Sequence, residues 1–137
     1  MKKLFLMLLA LTLVFSAITI PAAAAVAPED TVSPMWTNTS NVDFFIAFVE
    51  GTGYAEATVM AKLSPKTIKI DVYVYVETDY GWEYVAESHT SKTGMAAGIS
   101  CPFTPVSGAY YKAEYIVTVT GNGIDEVITP TTYNTCP

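Results

Sequence analysis

The run Thr67 to Glu77 alternates without a break: Ile68, Ile70, Val72, Val74 and Val76 are interleaved with Lys69, Asp71, Tyr73, Tyr75 and Glu77. Period-two alternation of this length places every aliphatic side chain on one face of a strand and every polar or tyrosyl one on the other. A helix would scatter both sets around its axis. One dry and one wet face also implies an antiparallel sheet in a two-layer fold, because parallel strands are covered on both faces and read as continuously apolar. Around this run, strand signals recur at short intervals over Val42 to Glu50, Tyr54 to Leu63, Trp82 to Ser88, Gly94 to Cys101, Ala109 to Thr120 and Ile124 to Thr129. The breaks carry turn chemistry at Gly51-Thr52-Gly53, Ser64-Pro65, Asp79-Tyr80-Gly81, Pro102 to Gly108 and Gly121-Asn122-Gly123. Asn122-Gly123 is the sharpest of these, since both residues tolerate the positive φ of a tight hairpin. About seven strands with such turns predict an all-β fold, a single antiparallel β-sandwich. Its inward positions are Ala55, Ala57, Val59, Ala61 and Leu63 on one strand and Tyr111, Ala113, Tyr115, Val117 and Val119 on another.

The segment before this domain reads differently. Lys2 and Lys3 precede the apolar run Leu4 to Ile18, and Ala22 to Ala25 supply the small residues that signal peptidase recognises. Residues 1–25 are therefore expected to be a secretory signal peptide. The run falls short of the ~20 apolar residues that span a bilayer, so stable membrane insertion after cleavage is not expected. Residues 26–41, with Pro28 and Pro34 and a Thr/Ser/Asn cluster, read as an extended leader, and residues 42–137 as the sandwich. The expected destination is extracellular. Cleavage would leave five lysines and no arginine against thirteen acids. Such a surface is a poor match for nucleic acid, whose phosphates and base edges are read by Arg and Lys.

Cys101 and Cys136 are the two cysteines. In an oxidising compartment a lone pair is expected to form a disulfide, which would contribute about 4 kcal/mol through loop closure.

The run Ile68 to Val76, the hairpin Asp79-Tyr80-Gly81 with Trp82, the segment Gly108-Ala109-Tyr110-Tyr111-Lys112-Ala113-Glu114-Tyr115 and the turn Gly121-Asn122-Gly123 resemble strands C, C′, F and G of fibronectin type III and immunoglobulin-like domains. Gly108 with Tyr111 is similar to the tyrosine corner that opens strand F, where a buried ring returns its hydroxyl to backbone. The resemblance implies that the loop entering F and the tail leaving G share one end of the sandwich, which places Cys101 and Cys136 at that end. The immunoglobulin bridge between strands B and F has no counterpart. The order of signal peptide, small-residue strand, Trp-containing hairpin, Tyr-rich strand and Asn-Gly turn also resembles small secreted proteins of unknown function from Gram-positive bacteria, a likeness that implies no activity.

No constellation reaches a catalytic or metal motif, and the chain is not expected to be an enzyme or to hold a cofactor. His89 is the single histidine, placed by the pattern in a solvated loop after a strand; no nucleophile elbow accompanies it. Glu77 with Asp79, and Asp125 with Glu126, lack the spacing of a calcium loop. The sequon Asn38-Thr39-Ser40 is read as idle.

What remains is aromatic. Tyr73 and Tyr75 face away from the core on one strand, and Tyr110 and Ile116 do so on its expected neighbour. Tyr80 stands in the turn, and Trp82 or Tyr84 should join the same face. Grouped exposed rings offer a large amphipathic contact area at low entropic cost. The function expected is a secreted, non-enzymatic module binding an extracellular protein or cell-wall glycan through this face. Two alternatives stand beside it: a passive structural or self-assembling module, and a toxin, bacteriocin-like protein or inhibitor.

Overall fold

The computed structural model describes residues 36–64 and 66–137. The expected signal peptide and most of the expected leader lie outside the described residues. Eight strands form: β1 (Thr39–Val49), β2 (Thr52–Ala61), β3 (Lys66–Thr78), β4 (Gly81–Gly94), β5 (Ala96–Phe103), β6 (Tyr110–Gly121), β7 (Ile124–Ile128) and β8 (Thr131–Thr135). One sheet has the order β1-β2-β5; the other runs β4-β3-β6, with β7 and β8 sharing the far side of β6. Every pairing is antiparallel. The strand order is that of a fibronectin type III-like sandwich.

Tight turns set the registers. Glu50 and Gly51 have φ of 49° and 79°, and Asn122 and Gly123 have 56° and 75°, so the β1–β2 and β6–β7 hairpins close through paired positive-φ residues whose twist matches the strands. The chain passes from β4 to β5 through Met95 alone, which moves it from one sheet to the other.

The alternation of β3 is realised as expected: Ile68, Ile70, Val72 and Val74 are fully buried. Against them pack Ala55, Ala57, Val59 and Ala61 of β2 and the inward residues of β6. The small alanines of the three-stranded sheet leave room for the large rings Tyr111 and Tyr115 opposite, so the layers interdigitate. Tyr111 lies tilted at 4.9 Å from Phe103, and Tyr115 lies 4.9 Å from Phe44. The tyrosine corner is present, with the Val106 N–H donating to the buried Tyr111 hydroxyl at 2.8 Å. Tyr115 donates its own hydroxyl to the Phe45 carbonyl at 3.0 Å, and burial pushes its pKa up to about 12.

Three expectations are corrected. Leu63 is fully exposed and has φ of 59°, because β2 ends at Ala61 and the chain turns there. β8 lies beyond the last expected strand, which ends at Thr129: the Pro130 carbonyl accepts the Tyr115 N–H at 3.0 Å and the chain resumes pairing with β6 after it. The domain also begins earlier than Val42. Asn38 is buried and donates through Nδ2 to the carbonyls of Val119 and Ile124, at 3.2 and 3.0 Å, tying the start of β1 across the β6–β7 hairpin. Glu126 accepts the Thr37 and Asn38 amides from the same hairpin. Lys62 reaches over to the Trp36 carbonyl. With both amide hydrogens engaged inside the fold, Asn38 has no free nitrogen to carry a glycan.

The expected disulfide is not formed; Cys101 and Cys136 are both buried free thiols. Cys101 lies on β5, opposite Ala55 and beside Ser88 of β4. Cys136 follows β8 and exchanges backbone bonds with Gly108 and Ala109, both at 2.9 Å. β5 packs against β3 and β4, whereas β1 packs against β6 and β8, so the two thiols belong to opposite lateral edges of the sandwich. About two strand spacings of ~4.8 Å and the ~10 Å between sheets separate them. A disulfide needs Cα atoms within about 7 Å. Sharing an end of the sandwich does not bring two residues onto the same edge.

Candidate binding face of the five-stranded sheet

The outward side chains of β4, β3, β6 and β8 are fixed by register. Tyr84, Tyr75, Lys112 and Tyr133 stand in one row across the sheet, with Tyr75 opposite both Tyr84 and Lys112, and Lys112 opposite Tyr133. Trp82 is opposite Glu77 in the next row, and Tyr110 stands two residues before Lys112 on β6. Rows of this kind bring side chains on adjacent strands to within about 5 Å at Cβ.

A bulge decides which residues of β4 join this face. Val74 pairs with Ala86 but Tyr75 pairs with Tyr84, leaving Val85 as an extra residue on β4. The inserted residue inverts the parity of the strand. Ser88 and Ala86 belong to the inner face, while Tyr84 and Trp82, of the same parity, point outward. Both rings that the sequence offered as alternatives are therefore on the face.

The rings make a continuous cluster. Tyr75 and Tyr84 meet edge-on at 6.2 Å, Trp82 lies 6.0 Å from both Tyr110 and Tyr133, and Tyr110 stacks on Tyr133 at 5.8 Å with planes 15° apart. Lys112 stands at the centre, its ammonium 4.7 Å from the Tyr75 ring centre and 4.8 Å from that of Trp82. That ammonium is 2.7 Å from Glu114, and only 14% of the Lys112 side chain is exposed. Tyr75 is half-buried, whereas Trp82, Tyr84, Tyr110 and Tyr133 all remain exposed. The structure brings together Tyr75, Trp82, Tyr84 and Tyr110 of the expected residues. It adds Lys112 and Tyr133, which only the β6–β8 pairing makes visible.

Three expected members stand apart. Tyr80 is fully exposed at the β3–β4 turn and contacts none of the other rings. Ile116 lies further along β6, opposite Asp71. Tyr73 pairs with His89, 5.6 Å away.

His89 is a strand residue, not a loop residue: β4 runs on to Gly94, and His89 faces Asp71 across the β3–β4 ladder. Its Nδ1 lies 2.8 Å from Asp71, and its Nε2 lies 3.5 Å from Glu87. Lys69, two residues before Asp71 on β3, completes the group, 2.9 Å from its carboxylate. The bond to Asp71 raises the His89 pKa above its ordinary 6.5; partial desolvation opposes this, and Glu87 adds to the rise. Burial would raise the Asp71 pKa, but the bonds from Lys69 and His89 outweigh it and hold the carboxyl below its ordinary range. Both imidazole nitrogens thus face carboxylates. Among the described residues the polar partners of the ring are these two carboxylates, which makes the arrangement an ion-paired group. Partial burial and the neighbouring Glu87 raise the pKa of the Tyr84 hydroxyl. Among the described residues, no group of three or more His, Cys, Asp or Glu is placed to share a metal ion.

No family model matches the chain, and no curated protein matches it. Solved structures with a similar fold include CsgH from R. palustris, at 13% identity and a TM-score of 0.42, covering 68% of this chain and 88% of that one. A protein from Arabidopsis thaliana solved in solution gives 11% identity and a TM-score of 0.42, over 81% of this chain and 92% of its own. The sporulation control protein Spo0M from Bacillus subtilis gives 14% identity and 0.34, over 74% and 51%.

Proposed function

We propose that this chain is a secreted, non-enzymatic binding module that engages an extracellular protein or cell-wall glycan through the outer face of its five-stranded sheet. The observation that carries this reading is the gathering of Tyr75, Trp82, Tyr84, Tyr110 and Tyr133 around Lys112, four of the five rings exposed. A sheet needs cross-strand pairs for stability, but it gains little from leaving a tryptophan and three tyrosines in one solvent-facing patch. Rings held in place by their neighbours lose little entropy when a ligand covers them. Export is supported by the Lys2 to Ala25 segment, read as a signal peptide. The ion-paired setting of His89 supports the non-enzymatic reading.

The test compares the protein with a Tyr110→Ser/Tyr133→Ser variant for retention on purified bacterial cell walls and for cross-linking to proteins of the culture supernatant. Phe45→Ser, on the opposite sheet, is the control. The double variant should lose about tenfold or more in whichever retention the wild type shows, as loss of central aromatic anchors does. Its melting temperature should stay near that of the control. Equal retention by the double variant overturns the reading.

A further inference from the structure

We propose that the occupant of this face is a basic segment of another protein, one of whose lysine or arginine side chains lies on the Trp82, Tyr110 and Tyr133 rings while others meet the carboxylates of Glu77 and Asp79. The inference rests on the face being a binding surface and names the chemistry of its partner.

The rings already hold a cation. Lys112 places its ammonium within 5 Å of both Tyr75 and Trp82, so the negative π-faces here are used as cation seats within the chain itself. That seat is full and its charge is cancelled by Glu114. Tyr110 and Tyr133, next to it, hold no cation among the described residues.

A survey of charge around the patch leaves an imbalance. Asp71 is matched by Lys69 and His89, and Glu87 by His89. Glu77, in the row of Trp82, and Asp79, at the turn beside it, are exposed and have no Lys or His within ion-pair distance among the described residues. The whole chain points the same way, with seven lysines, no arginine and thirteen acids. Such a field attracts cationic partners and repels anionic ones. A neutral sugar would stack on the same rings, but its binding would be indifferent to this charge and to salt.

Three of the rings form one compact seat. Trp82, Tyr110 and Tyr133 stand 6.0, 5.8 and 6.0 Å from one another, the corners of a single triangle. Such a seat suits one lysine or arginine side chain of a partner segment, as the neighbouring Tyr75 and Trp82 seat Lys112.

The experiment uses fluorescence anisotropy with three labelled probes: a peptide alternating Lys and Ser, its counterpart alternating Gln and Ser, and chitohexaose. The Lys/Ser peptide should bind and weaken steeply with salt, and the Gln/Ser peptide should bind at least about tenfold more weakly. Glu77→Gln/Asp79→Asn, at exposed positions, should weaken the Lys/Ser peptide by about three- to tenfold and flatten its salt dependence. Tyr110→Ser/Tyr133→Ser should weaken it by a similar factor at every salt concentration. Equal affinity for the two peptides, or no binding of the Lys/Ser peptide, overturns the inference. Chitohexaose binding that the ring variant abolishes would overturn the basic partner while leaving the binding face standing. Loss of every probe, together with retention on walls and supernatant proteins unchanged by the ring variant, would overturn both.

Discussion

The Lys112 ammonium stands 4.7 Å from the centre of the Tyr75 ring, on the neighbouring strand and in the same row. Trp82 approaches the same ammonium at 4.8 Å, and Glu114 neutralises it. Lys112 is thus the post around which the exposed rings are arranged. It holds its place because an ammonium is attracted to π-faces and a carboxylate together, in a site shielded from most solvent.

Lys112→Met keeps the stem and removes the charge. It should destabilise the domain by about 1 kcal/mol, the sum expected of partly exposed cation–π contacts and one ion pair. Lys112→Arg should recover most of the loss, since guanidinium also stacks on rings. Chemical denaturation of the two variants measures this directly; equal stability of Lys112→Met and the wild type would show that the contacts contribute nothing net.

The charged group of Lys69, Asp71, His89 and Glu87 should make stability depend on pH in two directions. The folded-state pKa of His89 is raised, so its contribution is complete below the ordinary 6.5 and is lost as pH rises through the higher folded value. The folded-state pKa of Asp71 is depressed, so its contribution is present above the ordinary 3.8 and is lost as pH falls through the lower folded value. Both operate between these ordinary values. His89→Gln should flatten the decline in melting temperature above neutrality and reduce the acid limb without abolishing it, because Lys69 still holds the Asp71 carboxylate. As the single histidine, His89 gives an isolated NMR titration, which should report a pKa above 6.5; a value at or below 6.5 would contradict the pairing with Asp71.

Because Cys101 and Cys136 lie on opposite edges, thiol titration of the denatured protein should find both free. Burial raises the pKa of the Cys101 thiol, so its thiolate is scarce at neutral pH and alkylation of the native protein should be slow. A reducing agent should leave the melting temperature unchanged. A shift of several degrees on reduction would mean that a bridge forms despite the edge-to-edge separation.

Features legible in the chain are those that depend on neighbours in sequence. Alternation placed Ile68, Ile70, Val72 and Val74 in the core, Asn122-Gly123 announced a hairpin with two positive φ angles, and Gly108 with Tyr111 announced the corner. Features that depend on a partner strand were hidden. The parity of Trp82 and Tyr84 turns on the Val85 bulge, which alternation within β4 alone does not reveal. Thr-Thr-Tyr-Asn-Thr has no aliphatic face to mark β8, because it completes a sheet edge beside β6 and presents Tyr133 outward. Lys112 reads as an ordinary outward lysine until Tyr75 and Trp82 are brought beside it. The cysteines were misjudged for the same reason, since topology orders the ends of strands more readily than the edges of sheets.

The start of the domain is the last place where one side chain ties distant strands together. Asn38 donates to Val119 on β6 and Ile124 on β7, spanning more than eighty residues of chain. Burial pushes the carboxyl of neighbouring Glu126 towards protonation, but the nearby Thr39 and the amides of Thr37 and Asn38 that donate to it more than offset this and lower its pKa. Asn38→Ala removes two hydrogen bonds from the start of the domain, at a cost of about 1–3 kcal/mol. Glu126→Gln keeps an acceptor but loses the charge that strengthens the amide bonds, and should cost less. The Glu126 contribution is present above its ordinary 4.5 and is lost as pH falls through the depressed folded value, so Glu126→Gln should also lessen the loss of stability in acid. Denaturation of both variants at neutral pH and below pH 4 checks the order. Were Asn38→Ala as stable as the wild type, Trp36 to Asn38 would be an appendage to the sandwich and not its first fastened segment.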